Sequence, residues 1–313
     1  MIIPVRNGAD TLALCLEALN KIRGDKTEII VVDDLSQDAS VEIAEGLGVR
    51  VISLTTRHGS AAAKNIGAKE ATGEILLFVD ADVVVPKNTF DLILQTFRQN
   101  PAIAAITANV SLEIPFKGFF TQYKNCYMHF VLSRASSQAD FFYGSLIAIR
   151  RKEFMLFDEK TRVEDTELGQ RLHKQGKSIY LDHQLQITHL KQYSLISALK
   201  NDFFVPFWWS RTYLLHSGIK DVVRKKTFAH ARLTQLFSIL AVFLTCLFFV
   251  LAMEQLGSLF LLAFVICNAR FFGFLMRQRG FVFFLKALVW TFIDQIVMGF
   301  GVMAGMIYFK VRK

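Results

Sequence analysis

Residues 233 to 252, LTQLFSILAVFLTCLFFVLA, run for 20 residues without a charged side chain. As a helix such a run reaches across the roughly 30 Å hydrocarbon core of a bilayer. A chain that contains it is expected to be a multi-pass membrane protein if further runs follow, and two do. LGSLFLLAFVICNARFFGFL (256 to 275) holds only Arg270, and ALVWTFIDQIVMGFGVMAGMIYF (287 to 309) holds only Asp294. The charge distribution agrees: residues 1 to 200 hold 23 Lys+Arg and 23 Asp+Glu, whereas residues 201 to 313 hold 13 and 4, so the net charge of +9 falls in the last third. That third also holds 19 of the 30 Phe. Basic residues among apolar aromatics are the pattern of cytoplasmic anchors on a membrane region, so the expected partner is the lipid bilayer and no nucleic acid. With 52% hydrophobic residues the chain is too apolar for a disordered one. Its four cysteines form no C-x-x-C pair and none stands with His at metal-ligand spacing, which suits reduced thiols in a cytosolic compartment.

The positive-inside rule places RKKTFAHAR (224 to 232) in the cytosol, MEQLGS (253 to 258) outside, and Arg277 and Arg279 inside again. A third crossing then carries Lys310, Arg312 and Lys313 outward against the rule, so the last run either re-enters or crosses against a weak bias. The stretch LISALKNDFFVPFWWSRTYLL (195 to 215) mixes aromatics with Lys200, Asp202 and Arg211, as expected of a segment at headgroup level. The opening MIIPVRNGAD lacks the layout of a secretory leader, and a strand beginning at residue 2 leads us to expect chain upstream of Met1.

Ahead of the apolar runs, short buried-strand patterns alternate with helical ones: IIPV, a helix from Thr11 to Ile22, EIIVVDD, SVEIAEGLG, VRVISL, AAAKNIGAKEA, EILLFVDAD, NTFDLILQTF and AIAAITANV. This βαβα order predicts an α/β domain with a mostly parallel sheet, whose ligands bind beyond the carboxyl ends of the strands. Asp33, Asp34, Asp80 and Asp82 lie at those ends. FFYGSLIAI (141 to 149) reads as one further strand, EDTELGQRLHKQG as a helix, and KSIYLD and LQITHL as two short strands.

The sharpest signal is LLFVDADVVVP. Apolar residues hold the strand in the core while Asp80 and Asp82 emerge at its end, a set of hard oxygen ligands suited to a divalent cation that also holds phosphates; the bland alternative is a solvated turn. Asp33 and Asp34 suit either ligand binding or helix capping, and Asp38 is the better cap. Glu164-Asp165 opens a helix, where an acidic pair either steadies the first turn or supplies a general base. His189 ends a strand as a metal ligand or as a structural imidazole. FKGFFTQYKNCYMHFVLSRA (116 to 135) reads as an aromatic helix that docks at the headgroup layer or packs on the sheet.

Taken together, IPVRN, EIIVVDDLSQDAS, AAAKNIGAKEATGEILLFVDAD, YGSLIAIRR and VEDTELGQRL resemble the membrane-associated family 2 inverting glycosyltransferases of GT-A fold. The resemblance runs from residue 2 to about 190 with the motifs in family order. It implies a Rossmann-like catalytic domain, a nucleotide-sugar donor, Mg2+ or Mn2+ as cofactor, and transfer with inversion. Residue by residue it implies donor binding by Pro4, Asp33, Asp34, Lys64 and Asp80, metal binding by Asp82 and His189, acceptor binding by Gly144 and Ser145, and catalysis by Asp165 with Glu164 beside it. FFVPFWWSR lacks the Gln-x-x-Arg-Trp motif of processive relatives, so a single addition is expected. A lipid-phosphate acceptor is already anionic and needs no base, so Glu164-Asp165 favours a hydroxyl on a membrane lipid or glycolipid. The competing readings are a polyprenyl-phosphate glycosyltransferase and an inactive membrane scaffold of the same fold. A nucleotidyltransferase would need a Gly-rich phosphate loop that IPVRNGADTL does not supply. The expected organisation is a catalytic domain over 1–193 facing the cytoplasm, an interfacial amphipathic segment over 194–232 and a membrane region over 233–313 with helices at 233–252, 256–275 and 287–309.

Overall fold

The computed structural model describes residues 1–216, 227–228 and 231–311. Most of the basic stretch 224–232 therefore lies outside the described residues. The chain divides into two compact units, residues 1–115 with 131–191, and residues 116–130 with 192–313.

The first unit is the expected α/β domain. Its strands are β1 (Ile2–Val5), β2 (Ile30–Asp33), β3 (Arg50–Ser53), β4 (Ile75–Val79), β5 (Val83–Val84), β6 (Ile103–Val110), β7 (Gln138–Ala139), β8 (Leu146–Arg150) and β9 (Ser178–His189), in the order β3-β2-β1-β4-β8-β6-β9-β5 with β7 also on β9. β1 to β4 run parallel, as do β6 and β9, and β8 is inserted antiparallel between β4 and β6. Strands buried on both faces have to be apolar throughout, and all eight residues of β6 and all four of β2 are buried. The parallel register brings the ends of β1, β2 and β4 to one rim: the amide of Asp34 donates to the Val5 carbonyl at 2.9 Å, and Asp80 follows β4 directly.

Two expected elements differ. β8 begins at Leu146, not at residue 141, because residues 143 to 146 form a turn in which the Leu146 amide donates to the Tyr143 carbonyl at 3.3 Å. The two short strands expected near residues 177 to 190 are one strand, whose pairing with β6 jumps from Ala108↔Asp182 to Asn109↔Gln186. Residues 183 to 185 bulge out of the ladder there, which broke the apolar periodicity.

The helices cover the sheet with faces cut to fit. Leu12, Cys15, Leu16 and Leu19 form the buried stripe of the helix Ala9–Ile22. The helix Ser60–Glu70 instead presents Ala61, Ala62, Ala63, Gly67 and Ala68, small side chains that let its backbone approach β1 and β2. A Cβ on Gly67 would collide with the Ile2 side chain and lie 3.1 Å from Val32 Cγ2. Gly67→Val is therefore expected to destabilise the protein by about 1–3 kcal/mol through overpacking, read from denaturant unfolding followed by tryptophan-independent circular dichroism.

Apart from the antiparallel pair Thr227–Phe228 and Ala231–Arg232, the described residues of the second unit form the helices Phe119–Leu132, Leu195–His216, Leu233–Val250, Glu254–Arg279 and Phe281–Val311. The last three are each long and apolar enough to cross a membrane. The final one is unbroken for 31 residues, about 46 Å at 1.5 Å per residue. Arg270 is exposed, whereas Asp294 is buried. The helix Phe119–Leu132 packs its rings on the long helices of this unit, Phe119 on Phe283 and Phe120 on Trp290 with centroids 5.1 and 4.8 Å apart. Its aromatic face thus finds an apolar partner that neither expected placement included. Gly301 and Gly305 let Phe281–Val311 approach the backbone of Leu195–His216 so closely that a Cβ on either would strike the carbonyls of Phe203 and Phe207. Lys124 pairs with Asp202, and the Tyr123 hydroxyl lies 3.0 Å from Thr291 Oγ1 and 3.5 Å from Asp294 Oδ2. A second polar set joins three helices: Ser238 Oγ donates to Gln295 Oε1 (2.6 Å), Asn268 Nδ2 to Ser238 Oγ (2.6 Å) and Gln295 Nε2 to Asn268 Oδ1 (3.2 Å).

Candidate active site

All the expected site residues belong to the first unit. Three of them, Asp80, Glu164 and Asp165, gather around a fourth, the buried Lys64 ammonium. Lys64 is carried inward by its small-residue helix to 3% exposure, and its Nζ lies 3.1 Å from Glu164 Oε1 and 3.7 Å from Asp80 Oδ1, above the Phe157 ring. A solvated surface lysine is thereby excluded. Burial by itself lowers the ammonium pKa, yet the carboxylates of Glu164, Asp80 and Asp165 outweigh it and the value is raised. Glu164 answers in kind: burial raises its pKa, but Lys64 and the hydrogen bonds it accepts bring it below the ordinary glutamate value. The pair is mutually dependent, so Lys64→Met should leave Glu164 buried and unpaired. The expected cost is about 3–5 kcal/mol in denaturant unfolding, and K64M/E164Q should recover only the part owed to Glu164, because Asp80 and Asp165 still lose the Lys64 charge.

Asp165 is the acid that Lys64 does not hold directly. Its Oδ2 accepts the Gly144 N–H at 2.9 Å and its Oδ1 accepts the Thr166 N–H at 2.7 Å. Burial, reinforced by the neighbouring Glu164 charge, pushes its pKa up to about 6. The close approach requires glycine, since a Cβ at position 144 would sit 2.7 Å from Asp165 Oδ2. Ser145 is buried, and its carbonyl accepts the Asp80 N–H at 3.2 Å.

Asp80 and Asp82 keep access to solvent, with side chains 33% and 31% exposed. After Asp82 the chain turns into β5, where Val83 pairs with His189 and Val84 with Thr188. That register places His189 Nε2 3.3 Å from Asp82 Oδ1. Burial raises the Asp82 pKa, but the hydrogen bond and charge of His189 outweigh it and the carboxylate stays below its ordinary value. For Asp80 burial prevails over Lys64, and the pKa is raised. One carboxylate and one imidazole side by side fit a divalent cation whose other positions are filled from outside the protein. Among the described residues no set of three or more His, Cys, Asp or Glu side chains converges on a metal position.

The remaining expected residues are engaged differently. Asp34 accepts the His58 and Gly59 N–H groups at 2.7 and 2.9 Å, which fixes the loop that leads into the Lys64 helix. Asp33 accepts the Ser36 N–H at 3.1 Å. Both carboxylates are buried, and these bonds leave each with further acceptor capacity. Pro4 lies on β1 opposite Val32. Asp38 accepts from the amides of Ala9 and Ser40 at 3.0 and 3.1 Å, so it serves the starts of two helices. Sequence reading passed over Tyr143, whose hydroxyl lies 3.2 Å from His189 Nδ1, because a tyrosine beside a turn glycine carries no mark of its target.

The family model for glycosyl transferase family 2 matches residues 1–156. A glycosyltransferase of Haemophilus influenzae described as uncharacterized is 32% identical over 120 residues, 38% of this chain and 41% of that protein. Glycosyltransferase GlyG of Streptococcus pneumoniae is 33% identical over 111 residues, 34% of this chain and 37% of its own length. The chain thus spans about two fifths of the length of these curated relatives. The mannosyltransferase PcManGT of Pyrobaculum calidifontis, solved in complex with GDP-Man and Mn2+, superposes with a TM-score of 0.60 at 16% identity, covering 100% of this chain and 86% of that one. The fold is the GT-A fold followed by long apolar helices, and the matched N-terminal half is family-2-like. Glu164, Asp165 and His189 lie beyond that matched stretch, so their place rests on geometry.

Proposed function

We propose that this protein is a metal-assisted glycosyltransferase that moves a sugar from a nucleoside-diphosphate sugar, with inversion and one residue at a time, to a hydroxyl group of a membrane lipid or glycolipid. The observation that carries the reading is the Lys64 ammonium set between Asp80 of the D-x-D strand and Glu164 beside Asp165. It ties a cation-and-phosphate side to an acid–base side at one rim. Mn2+ or Mg2+ on Asp82 and His189 would supply positive charge for the departing diphosphate.

The chain's own residues supply the rest. Pro4, Asp33, Asp34, Lys64 and Asp80 are assigned to the donor, and Gly144 and Ser145 to the acceptor. Asp165 takes the proton of the acceptor hydroxyl as its oxygen bonds to the sugar C1, while the bond from C1 to the diphosphate oxygen breaks. The Gly144 N–H holds the carboxylate in place for that transfer, and Lys64 keeps Glu164 ionised, whose charge in turn keeps the Asp165 pKa raised. The long apolar helices serve as the membrane anchor, and the catalytic unit is assigned to the cytoplasm, where nucleotide sugars are made.

The test is turnover by detergent-solubilised full-length protein with Mn2+ or Mg2+, across a panel of UDP- and GDP-sugars with a membrane lipid extract. Metal-dependent nucleotide release accompanied by a labelled lipid supports the proposal. A labelled lipid carrying a sugar phosphodiester would instead identify a polyprenyl-phosphate acceptor. Nucleotide release that is equal with and without lipid would remove the acceptor assignment.

A further inference from the structure

Three consecutive residues each hold a different member of the site. The Gly144 N–H donates to Asp165, the Ser145 carbonyl accepts from the Asp80 N–H, and the Tyr143 hydroxyl meets His189 Nδ1 at 3.2 Å with the two rings edge to face. The tripeptide is itself pinned to the sheet. The Tyr143 N–H donates to Thr107 Oγ1 at 2.9 Å, and the Thr107 hydroxyl, fully buried on β6, lies 3.2 Å from the carbonyl oxygens of Tyr143 and Leu146. Tyr143 is thus held from its backbone, and its ring reaches the imidazole from a fixed base.

From this geometry we propose that Tyr143 is a positioning residue that sets the tautomer of His189, accepting the Nδ1 proton so that the Nε2 lone pair is turned to a divalent cation beside Asp82. The proposal rests on the reading above that Asp82 and His189 hold such a cation. A neutral imidazole carries one ring proton. With that proton on Nε2, the ring donates it to Asp82 Oδ1 across 3.3 Å, and the two ligands satisfy each other instead of a metal. With the proton on Nδ1, the Tyr143 oxygen receives it, and a lone pair on Nε2 faces a carboxylate oxygen. That arrangement is electrostatically poor until a cation is shared between them. Outer hydrogen-bond partners that orient a histidine ligand commonly change metal affinity ten- to hundredfold when removed.

The experiment uses full-length protein in detergent. In metal-free protein labelled with [15N]histidine, at about pH 8, above the ordinary histidine range, the His189 ring signals are identified by their loss in His189→Gln. A measurable Nδ1–H population in the wild type that falls in Tyr143→Phe is expected. Mn2+ titration by electron paramagnetic resonance, with UDP and separately GDP present, should show about tenfold or weaker binding in Y143F. In the H189Q background the same tyrosine change should add nothing. A wild-type ring held wholly as Nε2–H overturns the proposal whether or not the variant folds. So does a Y143F protein with a lowered melting temperature but unchanged tautomer and Mn2+ affinity. If H189Q leaves Mn2+ binding intact, the metal assignment has failed; if H189Q weakens it and Y143F does not, only the role of Tyr143 has.

Discussion

Replacing Asp82 with alanine is expected to reduce metal-dependent sugar transfer by about a thousandfold or more, equivalent to roughly 4 kcal/mol of barrier. Asp82 is the carboxylate with the features a hard cation asks for: a pKa below the ordinary value, partial exposure, and an imidazole 3.3 Å away on a paired strand. Asp80 shares the partial exposure but not the imidazole partner or the lowered pKa. It is drawn towards Lys64 and its pKa is raised, so Asp80→Asn should cost less than Asp82→Ala and should weaken donor binding more than it lowers kcat. Initial rates of nucleotide release against Mn2+ concentration check both. If Asp82→Ala retained wild-type rates at saturating Mn2+, the ligand assignment would be wrong.

Asp165→Asn is expected to lower kcat by roughly two to four orders of magnitude, the contribution of a positioned general base. The amide keeps the shape but has one acceptor oxygen for the two N–H groups of Gly144 and Thr166, so a modest loss of stability is expected while donor affinity should change little. The pH dependence gives an independent check. The Asp165 pKa is raised to about 6, so the carboxylate is protonated below that value and ionised above it. A base has to be ionised to act. The wild-type rate should therefore fall tenfold per pH unit below about 6 and level off above it, and this acid limb should be missing from the residual activity of Asp165→Asn. A variant with full transfer would mean that the acceptor arrives already ionised, as a lipid phosphate does.

How much of this was legible in the sequence depends on the distance over which each residue acts. The Asp80-x-Asp82 strand end declares itself through the apolar run that precedes it, and Glu164-Asp165 through its place ahead of an amphipathic helix. The helix carrying Lys64 is readable too, although its depth is not: the close approach at Gly67 and the 3% exposure of Lys64 emerge only in the packed structure. The links that hold the site together depend on strand register. His189 meets Asp82 because β5 pairs with β9, Tyr143 meets His189 across 46 positions of chain, and Asp34 meets His58 and Gly59 from a neighbouring strand. None of these pairings has a local pattern. The helix Phe119–Leu132 illustrates the same limit on a larger scale, since an aromatic face fits a sheet, a headgroup layer or other helices equally well until the chain's own helices are in place.

The buried Lys64 ammonium faces three carboxylates, those of Asp80, Glu164 and Asp165, and Asp82 adds a fourth acid beside Asp80. A pocket with so lopsided a charge repels a bare diphosphate at close range, where the low dielectric strengthens every like-charge contact. The kinetic consequence is an order of events. Nucleotide without a divalent ion should bind poorly and inhibit poorly, and the two should arrive and leave as a neutralised pair. A cell could then slow this enzyme by withholding the ion while its sugar donor remains abundant, and product that retains its cation should linger longest in the site.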